Sequence, residues 1–212
     1  MIVYCVRHGE TNYNAQGRLQ GQSDRSVLSP LGRRQSEATA RALLGKPIEA
    51  LFASPLRRAR ETAEIIAARL GLEIRDDPRL KEIHVGVFQD QLRTDLEEHH
   101  AEALREWLSG RPDYVIPGGE SRAQLARRGR EAFEAIFRSG FEQAVIVAHG
   151  GVLVCTIKSL LNIPLQDPPL ALENCSITTL AHHGDGRVEL VAFNQTEHLA
   201  EVGHGGMGDL VV

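Results

Sequence analysis

The sequence predicts an α/β fold, a three-layer sandwich with a mostly parallel central sheet and helices on both faces. Short apolar runs rich in Val, Ile and Ala alternate with longer stretches of helical periodicity, which is typical of parallel strands joined by helices. Towards the C-terminus two strand-like runs flank Gly184-Asp185-Gly186, which indicates a closing hairpin.

The helices are predicted where a capping residue precedes an amphipathic stretch and a glycine or proline ends it. Ser29-Pro30 and Ser54-Pro55 each combine an N-cap with a proline at the first helical position, and Ser121 with Gln124 has the pattern of a capping box. The predicted helices are residues 30–44, 55–70, 91–109, 122–138 and 152–161. The predicted strands are residues 3–6, 48–53, 72–75, 144–148, 175–181 and 188–193.

The 212 residues are expected to form a single domain, residues 1–212, with a covering insertion at about 79–120. Segment 79–120 interrupts the alternation of strand and helix, and we interpret it as an excursion from the core that can cover a site. Residues 9–28 are polar, contain glycine and are too long for a simple connector, so they form a candidate functional loop. The glycine-rich tail from Gly203 is expected to be loosely held.

Composition and charge exclude several classes of protein. The chain carries 24 Lys and Arg against 28 Asp and Glu, with a net charge of −4, which argues against a nucleic-acid partner. No stretch approaches the roughly 18 apolar residues of a membrane span, and no signal-peptide pattern precedes the first strand, so a cytoplasmic protein without a membrane partner is expected. The three cysteines are odd in number and lie in apolar runs, which favours buried free thiols.

Two predicted strands end in the same dipeptide, at His8-Gly9 and His149-Gly150, and a third leads into a helix that carries Arg57, Arg58 and Arg60. If the three strands are parallel neighbours, two imidazoles and at least two guanidiniums meet at the carboxyl edge of the sheet, where ligands bind in such folds. Helix starts after Ser54 and after Gly150 would point backbone N–H groups at the same place. These groups together predict a site for a dianion such as phosphate.

A packing role is the simpler interpretation for some of these residues. Positions 57, 58 and 60 cannot all face the sheet edge, so Arg57 and Arg60 are expected on a solvated helix face. For Arg7, which directly precedes His8 at the end of a buried strand, this interpretation is weaker, because burying a guanidinium without an anionic partner is costly.

Several motifs, in this order along the chain, resemble those of the histidine phosphatase superfamily, the clan of the cofactor-dependent phosphoglycerate mutases and many small-molecule phosphatases. The resemblance covers nearly the whole chain. The matching residues are Arg7-His8-Gly9-Glu10-Thr11 with Asn14, Ser54-Pro55-Leu56-Arg57-Arg58-Ala59 with Thr62, Glu82, Pro117-Gly118-Gly119-Glu120-Ser121, Ala148-His149-Gly150-Gly151, and Asn194 with His198-Leu199.

The resemblance implies a phosphohistidine mechanism. Neutral His8 would attack phosphorus in line, with one ring nitrogen facing the phosphate and the other held by an acceptor. Arg7, Arg58, His149 and Asn14 would bind the equatorial oxygens, and His149 would do so best as an imidazolium, which an adjacent phosphate favours.

The resemblance also assigns proton transfer and substrate contacts. Glu82 matches the acid/base position, although a lone Glu in a loop would otherwise be taken for a solvated surface residue. Gln20 and Gly21 fall where the family lines the substrate mouth, and Gly150 is counted with the substrate-binding residues. No metal and no cofactor is expected, because the two histidines lack a carboxylate cluster and the guanidiniums would repel a divalent cation.

Departures from the family pattern bear on the activity. After the acid the family usually has Gly, an aromatic residue and Glu-Gly, whereas Gly86-Val87-Phe88 is followed by Gln89-Asp90, which puts the loop's substrate contacts in doubt. The true mutases place Asn-Ser after the second His-Gly and Glu-Arg-His-Tyr around the acid. Here these positions are Gly151-Val152 and Glu82-Ile83-His84-Val85, and the chain is short for the mutase insertion, so hydrolysis is favoured.

Three hypotheses for function follow. The first is a metal-independent phosphomonoesterase for a small phosphorylated metabolite, such as a phosphoserine-like compound, a sugar phosphate or a nucleoside phosphate. The second is a cofactor-dependent phosphoglycerate mutase, and the third is a non-catalytic phosphate-binding protein. The expected partner is a small-molecule phosphomonoester, and a homodimer is a possible state of assembly.

Overall fold

The computed structural model describes residues 1–168 and 170–205. Within them six strands form one sheet and seven α-helices surround it. The strands are β1 (Ile2–Arg7), β2 (Ala50–Ala53), β3 (Ile74–Asp76), β4 (Gln143–Ala148), β5 (Ile177–His182) and β6 (Val188–Gln195). The helices are α1 (Asn12–Gln16), α2 (Pro30–Leu43), α3 (Arg57–Leu70), α4 (Arg93–His99), α5 (Ala101–Leu108), α6 (Arg122–Phe137) and α7 (Gly150–Leu160).

The strand order is β3-β2-β4-β1-β5-β6. The first four strands are parallel, β5 is antiparallel to β1, and β6 is antiparallel to β5. The predicted α/β class with a mostly parallel sheet is therefore confirmed, and β5 and β6 form the predicted closing hairpin.

Side chains that alternate along the strands cover the sheet with two separate apolar layers. On β1, Val3 and Cys5 pack in one core cluster with residues of α6 and α7, whereas Tyr4 and Val6 pack in another with residues of α2 and α3. This alternation follows from the two-residue period of a strand, and it places helices on both faces as predicted.

Parallel pairing brings the ends of three strands together. Arg7 at the end of β1 pairs with Ala148 at the end of β4, and Ala53 at the end of β2 pairs with Val147. The condition on which the predicted site depends, that these three strands are parallel neighbours, is therefore met, and the residues that follow them start from one edge of the sheet.

Three local predictions were wrong. Helix α3 begins at Arg57 and not at Pro55, because the Ser54 hydroxyl accepts from the amide of Leu56 and bonds to Nε2 of His149, and so does not serve as the cap of this helix. The helix predicted over 91–109 is two helices that break at His100, where the backbone leaves the helical region (φ −141°, ψ 34°). Helix α1 was missed inside the loop at 9–28.

Segment 79–120 is part of the main core. Its buried side chains, Leu80, Phe88, Leu96, Trp107 and Ile116, belong to the same cluster as those of α6 and α7. Two 3-10 turns, Pro78–Leu80 and Gly86–Phe88, lie between β3 and α4. That the segment covers the site stays a prediction.

The three cysteines are free and buried, as predicted, at no more than 2% exposure. In the described part of the chain no helix is both long and apolar enough to cross a membrane. The glycine-rich tail predicted to be loose lies outside the described residues from position 206 onwards.

Candidate active site

Two histidines lie side by side at the carboxyl edge of the sheet. His8 follows β1 and His149 follows β4, and because these strands are adjacent and in register the two imidazoles approach each other. Their ring centroids are 5.2 Å apart with 58° between the ring planes, and both side chains are fully buried. The predicted convergence of the two His-Gly motifs is therefore observed.

The hydrogen bonds of His8 fix its tautomer. Its Nδ1 lies 2.8 Å from the carbonyl oxygen of Gly9, which can only accept, so Nδ1 carries the proton. Its Nε2 lies 3.2 Å from Nε of Arg58, which can only donate, so Nε2 is the unprotonated nitrogen. The ring is thus neutral, with the lone pair of Nε2 directed at the guanidinium of Arg58.

Arg58 is held rigidly although it is fully buried. Besides its bond to His8, it donates from Nη2 to the carbonyl of Gly21 at 2.8 Å and from Nη1 to that of Ser23 at 3.4 Å. It is the second residue of α3, and its neighbours Arg57 and Arg60 form ion pairs on the outer face of that helix, as predicted. The predicted loop 9–28 therefore supplies acceptors that orient this guanidinium.

Arg7 is the second buried guanidinium at the edge, with 2% of its surface exposed. Its Nη1 donates to the carbonyl of Leu172 at 2.6 Å. A methyl group on Gly150 would lie 3.6 Å from its Nε, so the guanidinium borders the first turn of α7. Gly150 is thereby placed next to both Arg7 and His149.

His149 bonds through Nε2 to the hydroxyl of Ser54 at 2.7 Å. Its Nδ1 is buried and has no hydrogen-bond partner in the described part of the chain. Burial, followed by the positive charges of Arg58, Arg128 and Arg7, lowers the pKa of His149 well below its ordinary value. Without an anion the ring is therefore neutral, the reverse of the imidazolium expected with phosphate bound.

Glu82 is a buried residue rather than the solvated surface residue that its loop position would suggest, with 3% exposure. Its Oε2 accepts from the amide of Gly151 at 2.9 Å and its Oε1 from that of Val152 at 3.0 Å. The carboxyl therefore caps the positive end of α7 from outside the helix. Of the backbone N–H groups expected to point towards the ligand site, those of Gly151 and Val152 bind Glu82 instead.

The remaining predicted residues lie in the loop beside the histidines. The Oδ1 of Asn14 accepts from the amide of Thr11 at 3.1 Å, which completes the capping box that starts α1. Gln20 is 1% exposed, and its Oε1 accepts from the hydroxyls of Thr11 and Ser26. Gly21 contributes its carbonyl to Arg58. Substrate binding by these residues stays a prediction.

Three further residues support the two histidines and were not predicted as site residues. The side-chain Nδ2 of Asn174 donates to the carbonyl of His8 at 2.9 Å, and the hydroxyl of Thr62 accepts from the backbone amide of Gly9 at 3.1 Å. Ser54, interpreted from the sequence as a helix cap, bonds to His149. Thr62 stands four residues after Arg58 on α3, a spacing that could have placed it at the edge, whereas Asn174 gives no local signal.

The positive charge of this edge is carried by the buried guanidiniums of Arg7 and Arg58, beside two neutral imidazoles. Among residues 1–168 and 170–205, no group of three or more His, Cys, Asp or Glu side chains could hold a metal ion. The arrangement is suited to a small oxyanion, because Arg7 and Arg58 offer fixed donors and His8 offers a lone pair at the same edge of the sheet.

Comparison with known proteins gives one family. The family model described as histidine phosphatase superfamily (branch 1) matches residues 3–196. A protein of Serratia proteamaculans named probable phosphoglycerate mutase GpmB is 39% identical over 182 residues, which cover 85% of this chain and 84% of that protein.

Solved structures share the fold closely. A mycobacterial glucosyl-3-phosphoglycerate phosphatase in complex with VO3 superposes with a TM-score of 0.84 at 33% identity, covering 92% of this chain and 99% of that one. YhfR of Bacillus stearothermophilus superposes with a TM-score of 0.87 at 27% identity, covering 93% and 98% of the two chains.

Proposed function

This chain belongs to branch 1 of the histidine phosphatase superfamily, and from that premise we propose that it is a metal-independent phosphomonoesterase that hydrolyses a small phosphorylated metabolite through a phosphohistidine at His8. The observation that carries the proposal is the state of His8. The carbonyl of Gly9 holds the proton on Nδ1, and the Nε2 lone pair faces the guanidinium of Arg58. The imidazole therefore has the tautomer and the orientation of a nucleophile before substrate binds.

In the first step Nε of Arg58 gives up its bond to Nε2 of His8 in favour of a phosphate oxygen. The freed Nε2 lone pair then forms a bond to phosphorus while the bond between phosphorus and the ester oxygen breaks. The leaving oxygen takes a proton from the carboxylic acid form of Glu82. In the second step water attacks phosphorus, the phosphorus–nitrogen bond breaks, and the proton lost by water goes to the Glu82 carboxylate. One carboxyl thus serves both steps and ends as it began.

Positive charge in the pocket stabilises the transferring phosphoryl group. Arg7 and Arg58 are already oriented by backbone carbonyls, so little reorganisation is needed when the charge on the equatorial oxygens develops. The buried Nδ1 of His149 is a further donor for one of these oxygens. A bound dianion opposes the charges that lower the His149 pKa, so binding is expected to bring a proton onto this ring.

Hydrolysis is also the activity named for a similar solved structure, the mycobacterial glucosyl-3-phosphoglycerate phosphatase. The substrate of this chain is proposed only as a class, a phosphoserine-like compound, a sugar phosphate or a nucleoside phosphate.

Phosphoglycerate mutase activity is the second candidate, because a relative with 39% identity bears that name. The two activities differ in the fate of the phosphohistidine, which a mutase returns to the sugar acid and a phosphatase gives to water. An assay with 3-phosphoglycerate and a bisphosphoglycerate primer separates them. Isomerisation faster than phosphate release would favour the mutase.

The proposed hydrolysis is tested with a panel of phosphorylated metabolites in excess chelator, ranked by kcat/KM. His8→Ala is expected to abolish turnover together with the acid-labile, base-stable phosphoenzyme. Glu82→Gln is expected to slow esters with poor leaving groups far more than activated aryl phosphates, because only the former need a proton. Full activity of His8→Ala would refute the assignment of His8 as the nucleophile. A wild-type protein inactive on every ester of the panel would refute the proposed hydrolase activity.

A further inference from the structure

Arg128 on α6 has an arrangement of contacts that the proposed mechanism does not use. Its Nε and Nη2 bind the two carboxylate oxygens of Glu120 at 2.8 and 2.9 Å, a bidentate pair. Its Nη1 donates to the carbonyls of Arg79 and Lys81, and its Nη2 donates to the carbonyl of Glu82 at 2.9 Å. The guanidinium therefore binds three backbone carbonyls of the segment that ends at the proposed proton donor.

The same segment is held from two other directions. The carbonyl of Glu82 also accepts from Nε2 of Gln22 at 2.9 Å, and Gln22 follows Gly21, the residue that orients Arg58. On the far side, the amide of His84 donates to Oε2 of Glu120 at 3.2 Å, and the amide of Glu120 donates to the carbonyl of His84 at 2.8 Å. Backbone freedom on both sides of the Glu82 side chain is thus removed.

The Glu120–Arg128 pair is partly shielded from solvent, with 15% and 20% of the two side chains exposed. A bidentate pair of this kind holds its geometry better than an exposed ion pair, whose two long side chains remain mobile. The hydrogen bonds of Arg128 go to Glu120 and to the 79–82 backbone, yet its charge is among those that lower the pKa of His149, after burial and Arg58. The guanidinium binds the carbonyl of Glu82, and the carboxyl of Glu82 accepts from the amides of Gly151 and Val152 in the first turn of α7.

We propose that Arg128, fixed by Glu120, is a positioning residue that holds the backbone of Glu82 so that its carboxyl reaches the leaving-group oxygen. The inference rests on the proposed function, since it gives Arg128 a role only if Glu82 supplies the proton. It predicts that Arg128 governs activity on esters with poor leaving groups and has little influence on the attack by His8.

The test compares two substrates that differ in their need for a proton, 4-nitrophenyl phosphate and glycerol 2-phosphate. Arg128→Met is expected to lower kcat/KM for glycerol 2-phosphate by about 10²-fold, because a misplaced acid forfeits most of the 10²–10⁴-fold that general acid catalysis contributes. The loss on 4-nitrophenyl phosphate is expected to stay within about threefold, because that leaving group departs without a proton.

Arg130→Met is the matched control. Arg130 lies two residues further along α6, pairs with Glu134 at 2.9 Å and donates to the carbonyl of Ser159 at 2.7 Å. It has the same kinds of partner, one carboxylate and backbone oxygen, but neither belongs to the segment around Glu82. Its substitution should change neither substrate's kcat/KM by more than about twofold, as for surface changes remote from a site.

Two further variants keep the test decisive. If Arg128→Met unfolds, Glu120→Gln removes the carboxylate partner at nearly constant shape and should produce a smaller loss with the same preference for glycerol 2-phosphate. In the Glu82→Gln background, Arg128→Met should add little, because the two residues act through one group. Losses equal on both substrates, or a full additional loss in the Glu82→Gln background, would overturn the inference.

The outcomes separate this inference from the proposed function. A wild-type protein that hydrolyses no ester of the metabolite panel refutes the proposed hydrolase activity, and the role of Arg128 with it. If Glu82→Gln lowers kcat/KM selectively for glycerol 2-phosphate and Arg128→Met does not, only the positioning role of Arg128 is refuted.

Discussion

A single methyl group at Gly32 should displace the loop that carries the nucleophile. Gly32 lies in the first turn of α2, where the peptide of Glu10 crosses the helix. A methyl group there would overlap the carbonyl oxygen of Glu10 and would lie 2.8 Å from its amide nitrogen and 2.9 Å from its carbonyl carbon. Favourable contacts between heavy atoms lie near 3.5 Å, so the Glu10 peptide must retreat by roughly 1 Å.

Two opposing effects decide the stability of Gly32→Ala. Alanine favours a helix over glycine by about 1 kcal/mol, whereas overpacking a closely fitted site costs about 1–3 kcal/mol. We therefore expect a net loss of about 0–2 kcal/mol in the free energy of unfolding, which leaves the protein folded at room temperature.

The effect on activity should be larger than the effect on stability. Glu10 is two residues from His8, and Gly9 between them holds the Nδ1 proton of that ring. A displacement of about 1 Å at a reacting group can cost about 10²-fold, so kcat on 4-nitrophenyl phosphate should fall by roughly 10- to 100-fold. Gly184→Ala is the control, since no heavy atom of the described residues lies within 4 Å of its added methyl. A Gly32→Ala protein with increased thermal stability and kcat within threefold of wild type would show that this contact does not position His8.

Three further outcomes are expected. Arg58→Ala should lower kcat by about 10²-fold or more, as for the removal of one preorganised donor, in a steady-state assay at saturating substrate. The pKa of His149 is lowered in the free protein, and a bound dianion raises it, so binding of tungstate should be accompanied by proton uptake and should weaken as pH rises. Calorimetry in buffers of different ionisation enthalpy measures this proton uptake. The His149→Gln substitution should abolish it. Gly129→Ala should cost about 1–3 kcal/mol in denaturant unfolding, because its methyl would overlap the Thr156 hydroxyl between α6 and α7, and Thr156→Ala in the same chain should recover part of that loss.

The convergence of the two histidines was predictable because it depends on local pattern. Each lies between an apolar run and a glycine, and in a parallel sheet such strand ends share one edge. The spatial order β2-β4-β1 entered the prediction only as a condition, because it depends on pairing between strands that are far apart in sequence, such as Ala53 with Val147. The residue types at this edge were therefore predictable, whereas the order in which the three strands pair was not.

Other features depended on tertiary contacts that leave no local trace. Ser54 has the ordinary pattern of an N-cap before proline, yet its hydroxyl bonds to His149, so the helix starts later. The capping box of α1 uses Asn14 in place of the Glu or Gln that usually signals one, and the helix was missed for that reason. The bonds from α7 to Glu82 join two segments that are remote in sequence and could not be anticipated from either one.

The buried cysteines allow local opening of the structure to be measured by thiol labelling, without an added probe. Burial raises the pKa of Cys155 to about 12 and that of Cys175 to about 11, so neither offers thiolate to an alkylating reagent in the closed molecule. Labelling by iodoacetamide must then wait for the surrounding layer to open, and its rate measures how often that happens. Cys175, whose amide bonds to the carbonyls of Arg7 and His8, would register loosening beside the nucleophile. Cys155 in α7 would register separation of the opposite layer.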